Sequence, residues 1–223
     1  MGRALTGTQT PRTLYLPGRG DTVGPEELLP PPGDVVEAIS WPTTFLRIPL
    51  DDDFLARTFA DQVEFLSARV SPTDLVLAHS FSAWIALAYA VGLAESGDPL
   101  PELLLISPVL FQGGTGRLGY RPPRSAKIRK WMLGHDSAPE PAVDHLRARL
   151  HIISGADDPQ CPASQVRLLG DAGFRVDLIE GGGHRLTENC ARAKLKDLLG
   201  MHAANRGHKN ADGASERDRT MLP

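Results

Sequence analysis

The stretch "LVLAHSFSAW", Leu75 to Trp84, decides the fold. With Asp74 it opens on a nearly continuous apolar run, "DLVLAHS", the kind of strand that a parallel sheet buries on both faces. Directly after it, "SAWIALAYAVGLAES" reads as a buried helix, ended by Gly97-Asp98-Pro99. A polar pair, His79-Ser80, stands at the junction.

The same alternation continues downstream. "ELLLISPVL" is a second buried strand, "PAVDHLRAR" a short helix, and "LHIISGADDP" a strand with its exit loop. "PASQVRLLGDAG" is helical, "FRVDLIEGGGH" a strand and loop, and "NCARAKLKDLLG" a closing helix. Upstream, "TLYLPGRG" (Thr13–Gly20) is a short β-rich run ending in a Gly/Pro turn. Residues 21–49 are rich in proline, and "DVVEAIS" and "TFLRIPL" within them are each a strand or an extended segment.

Asp51–Asp53 opens a helical pattern, "DDDFLARTFADQVEFLSARV". Phe54, Leu55, Phe59, Val63, Phe65 and Leu66 put an apolar stripe on one face. The three aspartates suit the positive end of a helix dipole and are read as a solvated helix start rather than a metal site.

Strand and helix thus alternate from Asp51 to Gly200, which predicts a mainly parallel α/β sheet with right-handed crossovers. A single domain is expected over residues 1–200. Residues 201–223 carry little apolar content and are expected to form a disordered tail.

The totals bound the function. The chain has 223 residues, 41% of them hydrophobic, enough for one sizeable core. A net charge of -3 argues against a general nucleic-acid binder. No stretch approaches the ~20 apolar residues of a membrane span, and the N-terminus lacks the apolar core of a signal peptide. "MGRALT" meets the loose myristoylation pattern, which is short and often met by chance. Cys161 and Cys190 read as free thiols in a reducing cytoplasm, and their spacing suggests no zinc site. The expectation is a cytoplasmic protein with no metal and no organic cofactor.

A parallel α/β sheet collects its functional groups at the C-terminal ends of its strands. There this chain places Ser80, Ser107, Asp157 with Asp158, and His184. One serine, one acid and one histidine stand in the order Ser, Asp, His, with two neighbouring aspartates open as the acid.

Four pieces carry a resemblance to the α/β-hydrolase superfamily over about residues 13–199. "AHSFSAWIAL" is similar to the family's nucleophile elbow. "LPGRG" looks like the loop after the first core strand, which supplies part of the oxyanion hole. "SGADDPQCP" resembles the acid loop, and "EGGGHRL" the histidine loop. The elbow departs from the family's G-x-S-x-G, since Ala78 and Ser82 replace both glycines. The turn is sharp, and the positions two before and two after the serine crowd together, so only small residues fit. In the family's acid-loop pattern the aspartate stands three after the glycine and four before the proline. From Gly155 and Pro162 that is Asp158.

The resemblance implies roles. Ser80 is the nucleophile, His184 the general base, and Asp158 the group that fixes the imidazole. Main-chain N–H groups of Phe81 and of Arg19 or Gly20 would form the oxyanion hole. His79 is read as a packed neighbour. A narrower likeness, resting on "LPGRG", "DDP" and "GGGH", is to compact serine hydrolases related to retinoblastoma-binding protein 9.

About 40 residues separate "LISPV" from the acid strand, room for a small lid at about residues 111–140 and no large cap. "GRLGYRPPRSAKIRKWMLGH" holds Arg117, Arg121, Arg124, Lys127, Arg129 and Lys130 and no acid. It reads as a solvated basic helix or as a docking patch for an acidic carrier protein or coenzyme A. Trp131, Met132 and Leu133 would wall the serine with apolar surface. The expected activity is hydrolysis of a small ester or thioester through an acyl-enzyme. The rivals are acyl transfer or cyclisation of a carrier-bound chain, and a catalytically silent binding protein on the same fold.

Overall fold

The computed structural model describes residues 12–18, 44–47, 57–109, 125–134, 140–186 and 189–219. Six strands form one sheet: β1 (Arg12–Leu16), β2 (Thr44–Arg47), β3 (Leu75–His79), β4 (Glu102–Ile106), β5 (Leu150–Gly155) and β6 (Arg175–Ile179). Their order is β2-β1-β3-β4-β5-β6, and every pairing is parallel. Among the described residues six helices accompany them: α1 (Phe59–Ser67), α2 (Phe81–Ser96), α3 (Ser125–Met132), α4 (Glu140–Arg147), α5 (Ala163–Asp171) and α6 (Asn189–Arg219).

Strand residues alternate between two cores, as the pleat requires. Leu14, Leu16, Val76, Ala78, Leu103, Leu105 and Ile152 face one core, shared with α1 to α5. Tyr15, Leu75, Leu77, Leu104, Ile106 and Ile153 face the other, closed by Leu195, Leu198 and Leu199 of α6. β3 is buried at all five positions, which is why its sequence is apolar throughout. α2 is buried nearly all round and ends in a Schellman turn. Gly97 takes φ 73°, and the Asp98 N–H reaches Leu93 O at 2.9 Å.

At the amino end of the sheet, buried Asp74 anchors β1 to β3. Arg12 donates to it from Nη2 at 2.7 Å and Nε at 3.2 Å. A buried carboxylate needs such pairing, and the Ser71 N–H adds a further bond at 2.8 Å.

Two expectations are corrected. Helix α1 begins at Phe59, not at the aspartate triplet, because Thr58 and Asp61 form a capping box. The Asp61 N–H donates to Thr58 Oγ1 at 3.2 Å, and the Thr58 N–H to Asp61 Oδ2 at 3.3 Å. Asp51–Asp53, Phe54 and Leu55 lie outside the described residues. Second, residues 201–219, expected as a disordered tail, continue α6 as helix. Low apolar content does not stop a helix that a packed segment has already nucleated. Leu195, Leu198, Leu199 and Ala203 anchor it, and elongation then adds one hydrogen bond per residue.

Candidate active site

The sheet order changes direction at β1. The chain builds β2 on one side of it, then crosses to place β3 on the other. The carboxyl ends of β1 and β3 therefore frame the crevice where doubly wound sheets gather ligands. Pro17 and Gly18 leave β1 there, and Ser80 leaves β3.

Ser80 adopts φ 56° and ψ −119°, between strand and helix. A non-glycine residue held there costs about 1–3 kcal/mol, so its surroundings must over-determine it. They do. The Ser80 N–H donates to Ile106 O at 2.9 Å, and its carbonyl accepts the Val109 N–H at 3.4 Å. Ala78 and Ser82, expected to be small for steric reasons, are both fully buried. Gly18 presses on the same turn: a Cβ there would lie 2.7 Å from His79 Nδ1 and 3.2 Å from Ser80 Cβ.

The structure brings Ser80, His184 and Asp158 into one line. Ser80 Oγ lies 2.8 Å from His184 Nε2, and His184 Nδ1 lies 2.9 Å from Asp158 Oδ2. The Asp158 side chain is fully buried, and its Oδ1 accepts the N–H groups of Gln160 at 2.7 Å and Cys161 at 3.1 Å. A carboxylate at Nδ1 must accept Nδ1–H, which leaves the Nε2 lone pair for the serine hydroxyl.

Glycine allows the two loops to meet. A Cβ on Gly155 would strike the backbone of Gly183, so β5 and the loop before His184 touch only because Gly155 lacks a side chain. Asp157, the neighbouring aspartate that the acid-loop pattern leaves aside, is exposed yet bonded: its Oδ1 accepts the Gly183 N–H at 2.8 Å. It thus ties the acid loop to the residue before His184. The signal was there in the adjacent aspartates, but the partner is 26 positions away.

His79 is buried, its ring 5.6 Å from that of His184. Burial lowers its pKa to about 3, with the neighbouring His184 pushing the same way, so it stays neutral. Ser107 also sits at a strand end, at φ 45°, but its hydroxyl has no hydrogen-bond partner among the described residues.

Phe81 begins α2, directly after Ser80 at the positive end of the helix. Arg19 and Gly20 lie outside the described residues, as do Arg117, Arg121 and Arg124. Trp131 and Met132 are core residues, 2% and 1% exposed. Trp131 lines a cavity of about 240 Å³ with Phe59, Val63, Ala88, Val91 and Gly92. Ala88 and Gly92 of this lining lie about 12 and 18 Å along α2 from Ser80. The amphipathic spacing of α3 divides its side chains: Ile128, Trp131 and Met132 face the core, while Lys127, Arg129 and Lys130 face water. Leu133 packs partly buried against the same core.

Among the described residues no group of side chains forms a metal site, and no helix is long and apolar enough to cross a membrane.

No protein-family model matches the chain, and no curated protein matches it. Solved structures do. The esterase domain of a Rhodothermus marinus protein aligns with a TM-score of 0.54 at 16% identity, over 89% of this chain and 88% of that one. Est1E from Butyrivibrio proteoclasticus gives 0.54 at 12% identity, over 91% and 90%. The type II thioesterase BorB from the borrelidin biosynthetic cluster gives 0.51 at 19% identity, over 89% and 92%. With its parallel sheet, its serine in the turn after β3 and these likenesses along most of its length, the chain has the α/β-hydrolase fold.

Proposed function

We propose that the protein is a serine hydrolase that cleaves a carboxylic ester or thioester through an acyl-enzyme on Ser80. One observation carries this reading: the Ser80 hydroxyl is bonded to His184, which is bonded in turn to buried Asp158. As Ser80 Oγ bonds to the carbonyl carbon, its proton passes to His184 Nε2 and the π pair moves onto oxygen. Asp158 holds the tautomer and stabilises the imidazolium. The Phe81 N–H and an N–H of Arg19 or Gly20 receive the oxyanion. When the intermediate collapses, the leaving oxygen or sulfur departs with the proton from His184. A water activated by the same histidine then attacks the acyl-enzyme and releases the acid and free Ser80. The chemistry assigned to these residues needs no cofactor, and two unbridged cysteines fit a cytoplasmic setting.

The test is a fluorophosphonate probe with p-nitrophenyl esters and acyl-coenzyme A thioesters. The wild type is expected to label and Ser80→Ala not to. Undiminished labelling of the variant would remove Ser80 from the reaction, and would leave the silent binding protein as the better reading.

A finer reading concerns the acyl donor. Lys127, Arg129 and Lys130 are exposed on α3, and Lys127 lies 3.6 Å from Glu95. This face suits an acidic carrier protein or coenzyme A, and the likeness to a type II thioesterase agrees in kind. Transfer of the acyl group to another acceptor, or cyclisation, would use the same acyl-enzyme. For a carrier thioester, kcat/KM is expected to fall with salt and to drop about tenfold in Lys127→Glu/Lys130→Glu. Indifference to both changes removes the docking role.

A further inference from the structure

The family's elbow has glycine two positions after the nucleophile, and this chain has Ser82. Glycine carries no side-chain donor. Ser82 is fully buried, and its Oγ donates into a cluster of three carbonyl oxygens: Leu16 O at 2.9 Å, Pro17 O at 2.5 Å and His79 O at 2.8 Å. His79 belongs to the elbow itself. Leu16 and Pro17 belong to the exit from β1, more than sixty residues upstream.

We infer that Ser82 is a positioning residue that clamps the chain leaving β1 against the nucleophile, and so presets the oxyanion-binding half of the site. This deepens the reading of Ser80 as nucleophile and rests on it. The peptide unit is planar, with its C=O and N–H pointing in opposite directions. Holding Pro17 O therefore fixes the plane of the Pro17–Gly18 peptide and the direction in which the chain departs. The next residue, Gly18, is packed so closely on His79 and Ser80 that a Cβ there would have to displace them. The hydroxyl thus grips the chain immediately before it passes the reacting serine. A single hydroxyl proton shared among three acceptors gives a cluster rather than three full bonds, but no water competes at this depth. Preorganised donors act because they need not reorganise when charge develops, so a looser β1 exit weakens the transition state more than the bound substrate.

The experiment compares full-length wild type, Ser82→Ala and Ser82→Gly on p-nitrophenyl esters. Both variants are expected to lose kcat by about tenfold or more, with KM changed less than about threefold. Affinity for phenylboronic acid, which mimics the tetrahedral state on serine, is expected to weaken in the same proportion. Fluorophosphonate should still label Ser80 to completion in both variants. Unchanged kcat and boronate affinity in correctly folded variants overturn the positioning role and leave Ser80 as nucleophile. An equal effect on KM and kcat, or failure of both variants to fold, also overturns it, because Ser82 would then be holding the fold at large. A wild type that neither turns over esters nor labels overturns the function reading and the positioning role together.

Discussion

The described residues include two aspartate–histidine pairs on the same two strands' loops and edges, and they are built inside out from one another. At the carboxyl end of the sheet, His184 meets Asp158 at 2.9 Å, with the acid fully buried and the histidine side chain 13% exposed. Between β5 and β6, His151 meets Asp177 at 2.7 Å, with the histidine 4% exposed and the acid 35% exposed. The distances are alike. What differs is the far nitrogen of each ring. His184 Nε2 reaches a serine hydroxyl, whereas buried His151 Nδ1 has no hydrogen-bond partner among the described residues. The pair beside Ser80 buries the acid and leaves the imidazole at the crevice, whereas the other pair buries the imidazole and leaves the acid wet.

The comparison can be broken in four places. The largest effect is expected from Ser80→Ala, which removes the feature that sets the first pair apart. Turnover of p-nitrophenyl esters should fall by on the order of 10⁴-fold or more, and a residual rate near wild type would place the chemistry elsewhere. Next is Asp158→Asn, which offers His184 the wrong hydrogen-bonding group and should lower kcat by about 10⁴-fold in a protein that still folds. Its counterpart Asp177→Asn should leave kcat within about twofold and cost under about 1 kcal/mol in urea unfolding. If the two asparagine variants behaved alike, the distinction between the pairs would collapse.

A smaller effect concerns pH. Burial lowers the pKa of His79 to about 3, and also lowers that of His151, where the Asp177 bond offsets part of the effect and Arg175 adds to it. A depressed histidine binds fewer protons in the native state than the usual 6.5 would allow in the unfolded chain. Stability from both groups is thus fully present above pH ~6.5 and is lost as pH falls toward the native values, by up to about 1.4 kcal/mol per unit for each. Urea midpoints of His79→Gln measured from pH 7 to 4 should fall less steeply than those of the wild type. His151→Gln should flatten the slope less. An unchanged slope in His79→Gln would mean that the ring is solvated.

The strand pattern and the order of polar residues at strand ends were legible in the sequence. The apolar run Leu75–Ala78 marks a doubly buried strand because burial selects residue type position by position. The site's reach was partly legible. Ser80, Asp158 and His184 were named from motifs, while Asp157 was passed over, since its bond to Gly183 leaves no periodic trace. The packing of Trp131 in the core was not legible, because an aromatic residue on an amphipathic helix reads equally well as a wall or as core. The start of α1 was not legible because an acidic run and a capping box are both plausible helix starts, and the reciprocal bonds of Thr58 and Asp61 set it at Phe59.

By itself, then, the amino-acid order determined the alternation of core strands and helices, and that a serine stands where a buried strand turns into a buried helix. Those properties are local, set by burial period and backbone preference. Tertiary structure decided the rest: that Ser80 and His184, 104 positions apart, come within 2.8 Å, and that Ser82 faces the carbonyls of Leu16 and Pro17. A hydrogen bond depends steeply on distance and angle, and neither is defined until distant strands have been set side by side.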